Sequence, residues 1–162
     1  MDALVEEAAK KAAVAWIAVG GRPPALAWCA WLGGSLLVVT GEGEQAIPGL
    51  AESGSAEVSL RGDHGGRIVT FPAEVGRIAP ADEDWAELVP QLAGKRLNGA
   101  GGAEDLARAW SERCVVNRLT PAGDPADLPA DAQAAPPRPT EATRIPRRPF
   151  RLHKVRGAAR KR

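Results

Sequence analysis

The chain has 162 residues, of which 44% are hydrophobic and 25% are charged, enough for one domain of roughly 120 residues but not for two. Its formal net charge of +1 conceals an acidic body and a basic end, because residues 138–162 hold ten of the 21 Lys and Arg but one of the 20 Asp and Glu. The first turn is acidic and no long apolar stretch follows it, which argues against a signal peptide and a membrane span. We therefore expect a cytoplasmic protein without membrane contact.

The first elements of the chain are a helix and a strand. Asp2 is placed to cap a helix that runs to about Ala12, with Glu and Lys paired at i,i+4 spacing on its surface. Residues 14–19 are apolar and end at a Gly-Gly pair, which predicts a strand closed by a turn. Two prolines, Pro23 and Pro24, then enforce an extended entry into the next strand.

The chain is organised around the apolar segment at residues 25–40, which Gly33 and Gly34 divide. Two glycines in a tight turn between apolar runs predict a β-hairpin. Neither run alternates with polar residues, so both faces must be covered, one by the core and the other by a helix, a cofactor or a second subunit. Trp28 and Trp31 should point to opposite faces. From the two-sided apolarity we predict a homodimer that buries one face of this hairpin.

The elements after the hairpin are short and their order is typical of an antiparallel sheet. They are a glycine-rich loop (41–45), a short helix (48–52), a half-exposed strand (56–61), a longer strand (68–78), a helix from an Asp82 cap to Lys95 and Arg96, a short helix through Leu106 and Trp110, and a last strand (114–120). The two longer helices are amphipathic, so each should cover part of the sheet.

Residue types that commonly carry chemistry are few. Cys29 and Cys114 lie far apart in apolar runs without metal-ligand spacing, so we expect two buried thiols and no metal site. His64 lies in a glycine-rich turn without an identifiable partner, and no serine has the context of a nucleophile elbow. The sequence therefore assigns no catalytic residue.

The composition changes after residue 120. Residues 121–143 contain six prolines and one large apolar residue, too few apolar groups to offset the entropy of ordering. We predict a barrel domain over residues 1–120, a Pro- and Ala-rich disordered linker over 121–143 and a basic disordered tail from Arg144 to Arg162. The tail has nine Lys or Arg in nineteen residues, so it can contact nucleic acid or another anionic partner without sequence specificity, or stay solvated.

Six strands with few crossover helices predict a mainly β, α+β fold, a six-stranded antiparallel barrel with peripheral helices. Residues 14–23 (VAWIAVGGRP), the hairpin ending in Val-Val-Thr40, and residues 47–60 (IPGLAESGSAEVSL) resemble the pyridoxamine 5′-phosphate oxidase-like family of flavin-binding split β-barrels. The resemblance covers about residues 3–120 in the order and lengths of the elements. It implies the split-barrel fold of the FMN-binding type.

The resemblance also implies a homodimer that holds a flavin, usually FMN, in each of two clefts between its subunits. It implies a flavin-dependent oxidoreductase, in which the cofactor performs the redox chemistry and the protein supplies the cleft. If the family's site positions are carried over to this sequence, Trp28 would lie near the isoalloxazine ring of the flavin. Thr40, Gly41 and Gln45 would line the part of the cleft that holds the flavin's phosphate.

The phosphate end departs from the family's pattern. Where the phosphate-binding oxidases have an Arg and a Lys on the second strand and Ser-Arg-Lys in the loop, this chain has small or apolar residues and Gly-Glu-Gly-Glu-Gln. A phosphate near Glu42 and Glu44 would meet like charge. Lys95 and Arg96 are the candidate replacement cations, or they only neutralise the C-terminus of their helix. We therefore expect FMN binding weaker than in oxidases with the complete motif.

Two classes of function stay open at this point. The first is an FMN-binding protein or flavin-dependent oxidoreductase. The second is a non-catalytic dimeric barrel without a cofactor, which acts through its basic tail. A deazaflavin or a haem in the same cleft is also open, and the sequence names neither a substrate nor an electron acceptor.

Overall fold

In the computed structural model, which describes residues 2–61, 68–97, 99 and 101–126, seven strands form one antiparallel sheet and three helices pack beside it. The helices are α1 (Ala3–Lys11), α2 (Glu83–Lys95) and α3 (Ala103–Arg113). The strands are β1 (Val14–Ala18), β2 (Ala25–Trp28), β3 (Ala30–Leu32), β4 (Ser35–Gly41), β5 (Ser55–Arg61), β6 (Ile68–Ile78) and β7 (Cys114–Pro121).

The order of the strands explains how the sheet closes. Across the sheet the order is β2-β1-β5-β6-β7-β4-β3, so β2 and β3 lie at opposite edges. These two strands are consecutive in the chain and only Cys29 separates them. Because one residue joins the two edges, the sheet must curl into a nearly closed barrel. The predicted mainly β fold, an antiparallel barrel with peripheral helices, is confirmed.

The strand count differs from the prediction by one. The apolar run before Gly33 was expected to be one strand of a hairpin, but it divides at Cys29. Its first part pairs with β1, with Trp28 opposite Val14, and its second part pairs with β4 across the Gly-Gly turn. The same segment changes neighbours at the seam of the barrel, which gives seven strands instead of six.

Two apolar clusters lie on opposite sides of the sheet. The inner one fills the barrel and includes Ile17, Leu36, Val38 and Val58, with α1 packed against it. The outer one joins the other face of β4 to α2 and α3. Trp31 packs against the inner cluster and Trp28 against the outer one. The expectation that these two tryptophans face opposite sides is therefore confirmed.

The outer face of β4 is covered by helices of the same chain. Leu37 and Val39 of β4 are fully buried against a cluster that contains Leu92 and Trp110. Of the three covers that the two-sided apolarity allowed, the chain itself supplies the helix. A second subunit is not needed at this face, so an argument for a dimer must come from another surface.

The predicted short helix at 48–52 is wrong. That segment forms hydrogen-bonded turns, in which Leu50 N donates to Ile47 O at 3.1 Å and Ser53 N donates to Leu50 O at 3.3 Å. Gly49 has φ +84°, outside the helical region, which prevents a continuous helix from forming there.

The described part of the chain ends just after β7. Ala122 N donates to Pro72 O at 2.8 Å and Ala126 N donates to Thr70 O at 2.7 Å, so residues 122–126 follow the edge of β6. The predicted linker beyond residue 126, the basic tail and His64 lie outside the described residues. None of the three described helices combines the length and the apolar character needed to cross a membrane.

Candidate functional site

A buried carboxylate is the centre of the candidate site. The chain turns sharply after β4, with Glu44 N donating to Gly41 O at 3.1 Å, and the turn carries the Glu44 side chain back against the helices. That side chain is only 7% exposed. It accepts hydrogen bonds from Arg96 Nε at 3.2 and 3.4 Å and from Trp110 Nε1 at 3.0 Å. Its charge is therefore paired and its oxygens are bonded, as burial of a carboxylate requires.

Arg96 connects this carboxylate to the barrel seam. Its guanidinium lies over the ring of Trp28, with Cζ 5.3 Å from the ring centroid, a cation–π contact. Trp28 and Trp110 also contact each other, with ring centroids 6.4 Å apart. We call these four side chains, Trp28, Glu44, Arg96 and Trp110, the Glu44 cluster. It joins β2, the loop after β4, the C-terminal end of α2 and the last turn of α3.

Gln45 binds the backbone of β2 next to this cluster. Its Oε1 accepts from Trp28 N at 2.6 Å and its Nε2 donates to Trp28 O at 2.7 Å. Trp28 is the last residue of β2, at the point where the chain leaves one sheet edge for the other. The Gln45 amide therefore takes the place of a neighbouring strand at the seam, and both of its polar atoms are used.

Thr40 faces the barrel interior. It is buried, and its Oγ1 accepts from Asn117 Nδ2 at 3.0 Å. The same Nδ2 is 3.2 Å from the carbonyl oxygens of Val38 and Val115. The Thr40 hydroxyl is thus part of a buried polar group between β4 and β7, and it lies away from solvent.

The remaining predicted residues are Gly41 and Lys95. A Cβ on Gly41 would lie 2.6 Å from Arg113 O and 2.7 Å from Cys114 Cα, so this glycine permits the close approach of the α3–β7 junction. Lys95 is exposed at the end of α2 and is not part of the Glu44 cluster. Of the six predicted residues, the structure brings together Trp28, Gln45 and Arg96.

A cleft of about 400 Å³ opens beside the Glu44 cluster, between the loop after β4 and α3. Glu42, Glu44, Arg96 and Arg113 place two carboxylates and two guanidinium groups on its walls, and Trp110 and Cys114 also line it. Burial raises the pKa of the Cys114 thiol, and the charge of Glu44 raises it further. Arg113 lowers this pKa by less than Glu44 raises it, and Glu42 adds the smallest rise. This thiol therefore stays protonated at neutral pH and is a poor nucleophile.

Cys29, at the seam, is buried, and burial raises its pKa to about 12. The prediction of a buried thiol is confirmed for Cys29, whereas Cys114 is half-buried. Among residues 2–61, 68–97, 99 and 101–126, no group of His, Cys, Asp or Glu side chains is arranged to hold a metal ion. The walls of the cleft carry hydrogen-bonding groups, charged side chains and an aromatic ring. Such groups can bind a small molecule.

Three of the side chains predicted to hold a cofactor phosphate have partners inside the chain, and the fourth, Lys95, is exposed and lies outside the Glu44 cluster. Thr40 bonds to Asn117, both polar atoms of Gln45 bond to Trp28, and Arg96 pairs with Glu44. A phosphate at this end would have to separate the ion pair and would then face the Glu44 carboxylate. The residues present therefore do not fit a phosphate group.

Sequence reasoning missed two residues of this region. Trp110 was assigned to the apolar stripe of a helix. Its indole N–H also donates a hydrogen bond to the Glu44 carboxylate, which the sequence did not indicate. Asn117 lies on the same face of the last strand as the apolar residues Val115 and Leu119, and a polar residue at such a position needs a buried partner. That second pattern is a usable signal.

Comparisons with known proteins bear on the fold. No protein-family model matches the chain, and no curated protein is significantly similar to it. Among solved structures it is similar to HutZ, the haem storage protein from Vibrio cholerae, at 13% identity and a TM-score of 0.54, over 76% of this chain and 91% of that one.

Two further solved structures are similar at lower scores. One is a Listeria innocua protein provisionally assigned as a pyridoxamine 5′-phosphate oxidase, at 14% identity and a TM-score of 0.49, over 74% of this chain and 92% of that one. The other is an F420 reductase, at 13% identity and a TM-score of 0.48, over 73% of this chain and 93% of that one. At such identities the likeness concerns the fold. The nearly closed barrel and the likeness to HutZ show that the chain has the antiparallel split-barrel fold that its resemblance to the pyridoxamine 5′-phosphate oxidase-like family implies.

Proposed function

We propose that the protein is a homodimeric split-barrel protein that binds the ring of a flavin-type cofactor beside Trp28. Under this proposal the site does not bind the terminal phosphate of the cofactor. The observation that carries this proposal is the ion pair between Glu44 and Arg96, at the end where the family resemblance implies the phosphate. A bound flavin would supply redox chemistry. The chain's own residues supply the aromatic wall and the charge next to it.

The missing phosphate contacts set the expected affinity. A charge-assisted hydrogen bond contributes about 1.5–3 kcal/mol, so loss of two weakens FMN binding by roughly two to four decades relative to oxidases with the complete motif. Arg96, the one predicted replacement cation in the Glu44 cluster, is paired with a carboxylate. Under this proposal the phosphate adds nothing, and riboflavin binds about as well as FMN.

The argument for a homodimer now rests on the outer face of β1 and β2. Val14 lies opposite Trp28 and Trp16 lies opposite Leu26, so these four side chains share one face. Val14 is 42% exposed and Leu26 57%, and the two tryptophans are half-buried. An exposed apolar stripe of this kind on a sheet favours a second copy of the chain as its cover.

Replacing Leu26 by Glu is expected to convert the dimer to a monomer, because a charge would be buried in an apolar interface. Light scattering at micromolar concentration measures the mass. Leu97→Glu is the matched control, since Leu97 is 76% exposed and lies outside the stripe, and it should leave the dimer intact. A monomeric mass for the unmodified protein would contradict the prediction.

Titration with riboflavin and FMN, followed by Trp fluorescence, tests flavin binding. We expect saturable quenching by both ligands with similar Kd, and loss of most of that quenching in Trp28→Leu. Lys95→Ala is the control, because this exposed lysine lies apart from the Glu44 cluster. Deazaflavin and haem are further ligands to titrate, since the solved structures of similar fold include an F420 reductase and a haem storage protein.

The second candidate function is a barrel that holds no cofactor. It is favoured by one observation, that Thr40, Gln45 and Arg96 all use their polar groups within the chain. Absence of saturable quenching by each of these ligands at hundreds of micromolar would support this second candidate and overturn the first.

A further inference from the structure

A second cavity lies at the other end of β1, where the chain turns into β2. Its volume is about 230 Å³, and apolar atoms make up most of its wall. Ile17, Val19 and Ile47 contribute buried side chains, and the rings of Pro23 and Pro48 complete the apolar part. The one charged side chain on this wall is Arg22.

The local sequence positions Arg22 at this cavity. Val19 O accepts a hydrogen bond from Arg22 N at 3.1 Å, which closes a tight turn after β1 and directs the chain back. A Cβ built on Gly49 would lie 3.7 Å from Arg22 Nη1 and 3.6 Å from Val19 Cγ1. The guanidinium therefore rests over Gly49, next to the inner apolar cluster, where a larger side chain would compete with it for space.

The charge of Arg22 is not neutralised within the part of the chain that the structure describes. No carboxylate in those residues lies within 4.0 Å of its guanidinium, in contrast to Arg96, Arg108 and Arg118, which all have acidic partners. A guanidinium that borders an apolar cavity and has no acidic partner can pair with an anionic ligand through two parallel N–H donors.

We propose that this cavity is a binding site for a small apolar monocarboxylate, with the apolar body between Ile17, Val19 and Ile47 and the carboxylate on Arg22. Small-molecule sites are mostly apolar with a few placed polar groups, which is the composition found here. The volume is below the roughly 300–1,000 Å³ of sites for drug-sized ligands, so a single aromatic ring with a carboxylate suits it. The site does not depend on the flavin proposal.

The test uses benzoate as the probe and benzamide as its neutral counterpart of the same shape, with binding to the full chain measured by ligand-observed NMR. We expect benzoate to bind about tenfold more tightly than benzamide, because only benzoate can form the charged pair. Arg22→Gln should abolish that preference. Arg108→Gln removes an equal charge from α3 and should leave the preference unchanged.

A variant that fills the cavity tests the contribution of the apolar wall separately from that of the Arg22 charge. Ile47→Phe should weaken binding of both probes by tenfold or more, and a cooperative unfolding transition establishes that this variant is folded. Equal affinities for benzoate and benzamide, or a preference that survives Arg22→Gln, would overturn the proposal. Competition between benzoate and riboflavin would also overturn it, because that result would place the probe at Trp28.

Discussion

Gly41→Ala is expected to lower the free energy of unfolding by about 3–4 kcal/mol, the largest effect of a Gly→Ala change among the glycines that the structure describes. The added Cβ would lie 2.6 Å from Arg113 O and 2.7 Å from Cys114 Cα, and both of these are backbone atoms that cannot rotate away. Gly41 also has φ +142°, a conformation that residues with a side chain rarely adopt. Relief of the clash would separate β4 from the start of β7, to which it is paired.

Gly43→Ala is the matched control for this substitution. Gly43 has φ +79°, and a Cβ there would have no atom within 4 Å, so only the backbone strain of about 1 kcal/mol applies. Urea unfolding followed by Trp fluorescence measures both variants. Equal losses of stability in the two variants would show that the α3–β7 junction does not approach Gly41 as closely as described.

Glu44→Ala is expected to destabilise the protein by about 3 kcal/mol, because it leaves the half-buried Arg96 guanidinium and the buried Trp110 indole N–H without their acceptor. Glu44→Gln should cost about 1 kcal/mol, since an amide oxygen can still accept a hydrogen bond. The neighbouring exposed carboxylate provides the control, and Glu42→Ala should change stability by less than about 0.5 kcal/mol. Thermal unfolding of the four proteins gives the ranking.

If Glu44→Ala were as mild as Glu42→Ala, the Glu44 cluster would not hold β2 and the two helices together. A cycle with Arg96→Met makes the comparison stricter, because the double variant should lose less than the sum of the single variants.

Much of the barrel could be predicted from the sequence, because its signals are local. The alternation in residues 56–61 places Ala56, Val58 and Leu60 on the buried face, and they are buried. The Gly33-Gly34 turn follows from the φ values that only glycine adopts easily. The seam at Cys29 could not be predicted, because an uninterrupted apolar run contains no signal for a change of partner strand.

Long-range pairing accounts for most of what the sequence did not reveal. Two-sided apolarity correctly required a cover for both faces of β4, but it could not choose between a second subunit and the chain's own helices. The apolar faces of α2 and α3 could be predicted from the sequence. The strand that these faces cover could not, because it is set by contacts between residues far apart in sequence.

The candidate site shows the same division. Arg96 and Glu44 were identified separately, one as a replacement cation and the other as an obstacle to a phosphate. Their pairing joins residues 52 positions apart, so no local pattern could indicate it. Gln45 was assigned to a phosphate by position, whereas its partners are backbone atoms of Trp28, which have no signature in a sequence.

The most direct test of the central claim, that an internal ion pair stands where a phosphate clamp would be, is the affinity for FMN relative to riboflavin in the unmodified protein and in Glu44→Gln. The account predicts a ratio near one in the unmodified protein. In Glu44→Gln, FMN should bind about tenfold more tightly than riboflavin, because Arg96 is released and the like charge is removed. FMN binding a hundredfold or more tighter than riboflavin in the unmodified protein, or a ratio unchanged by Glu44→Gln, would contradict the account.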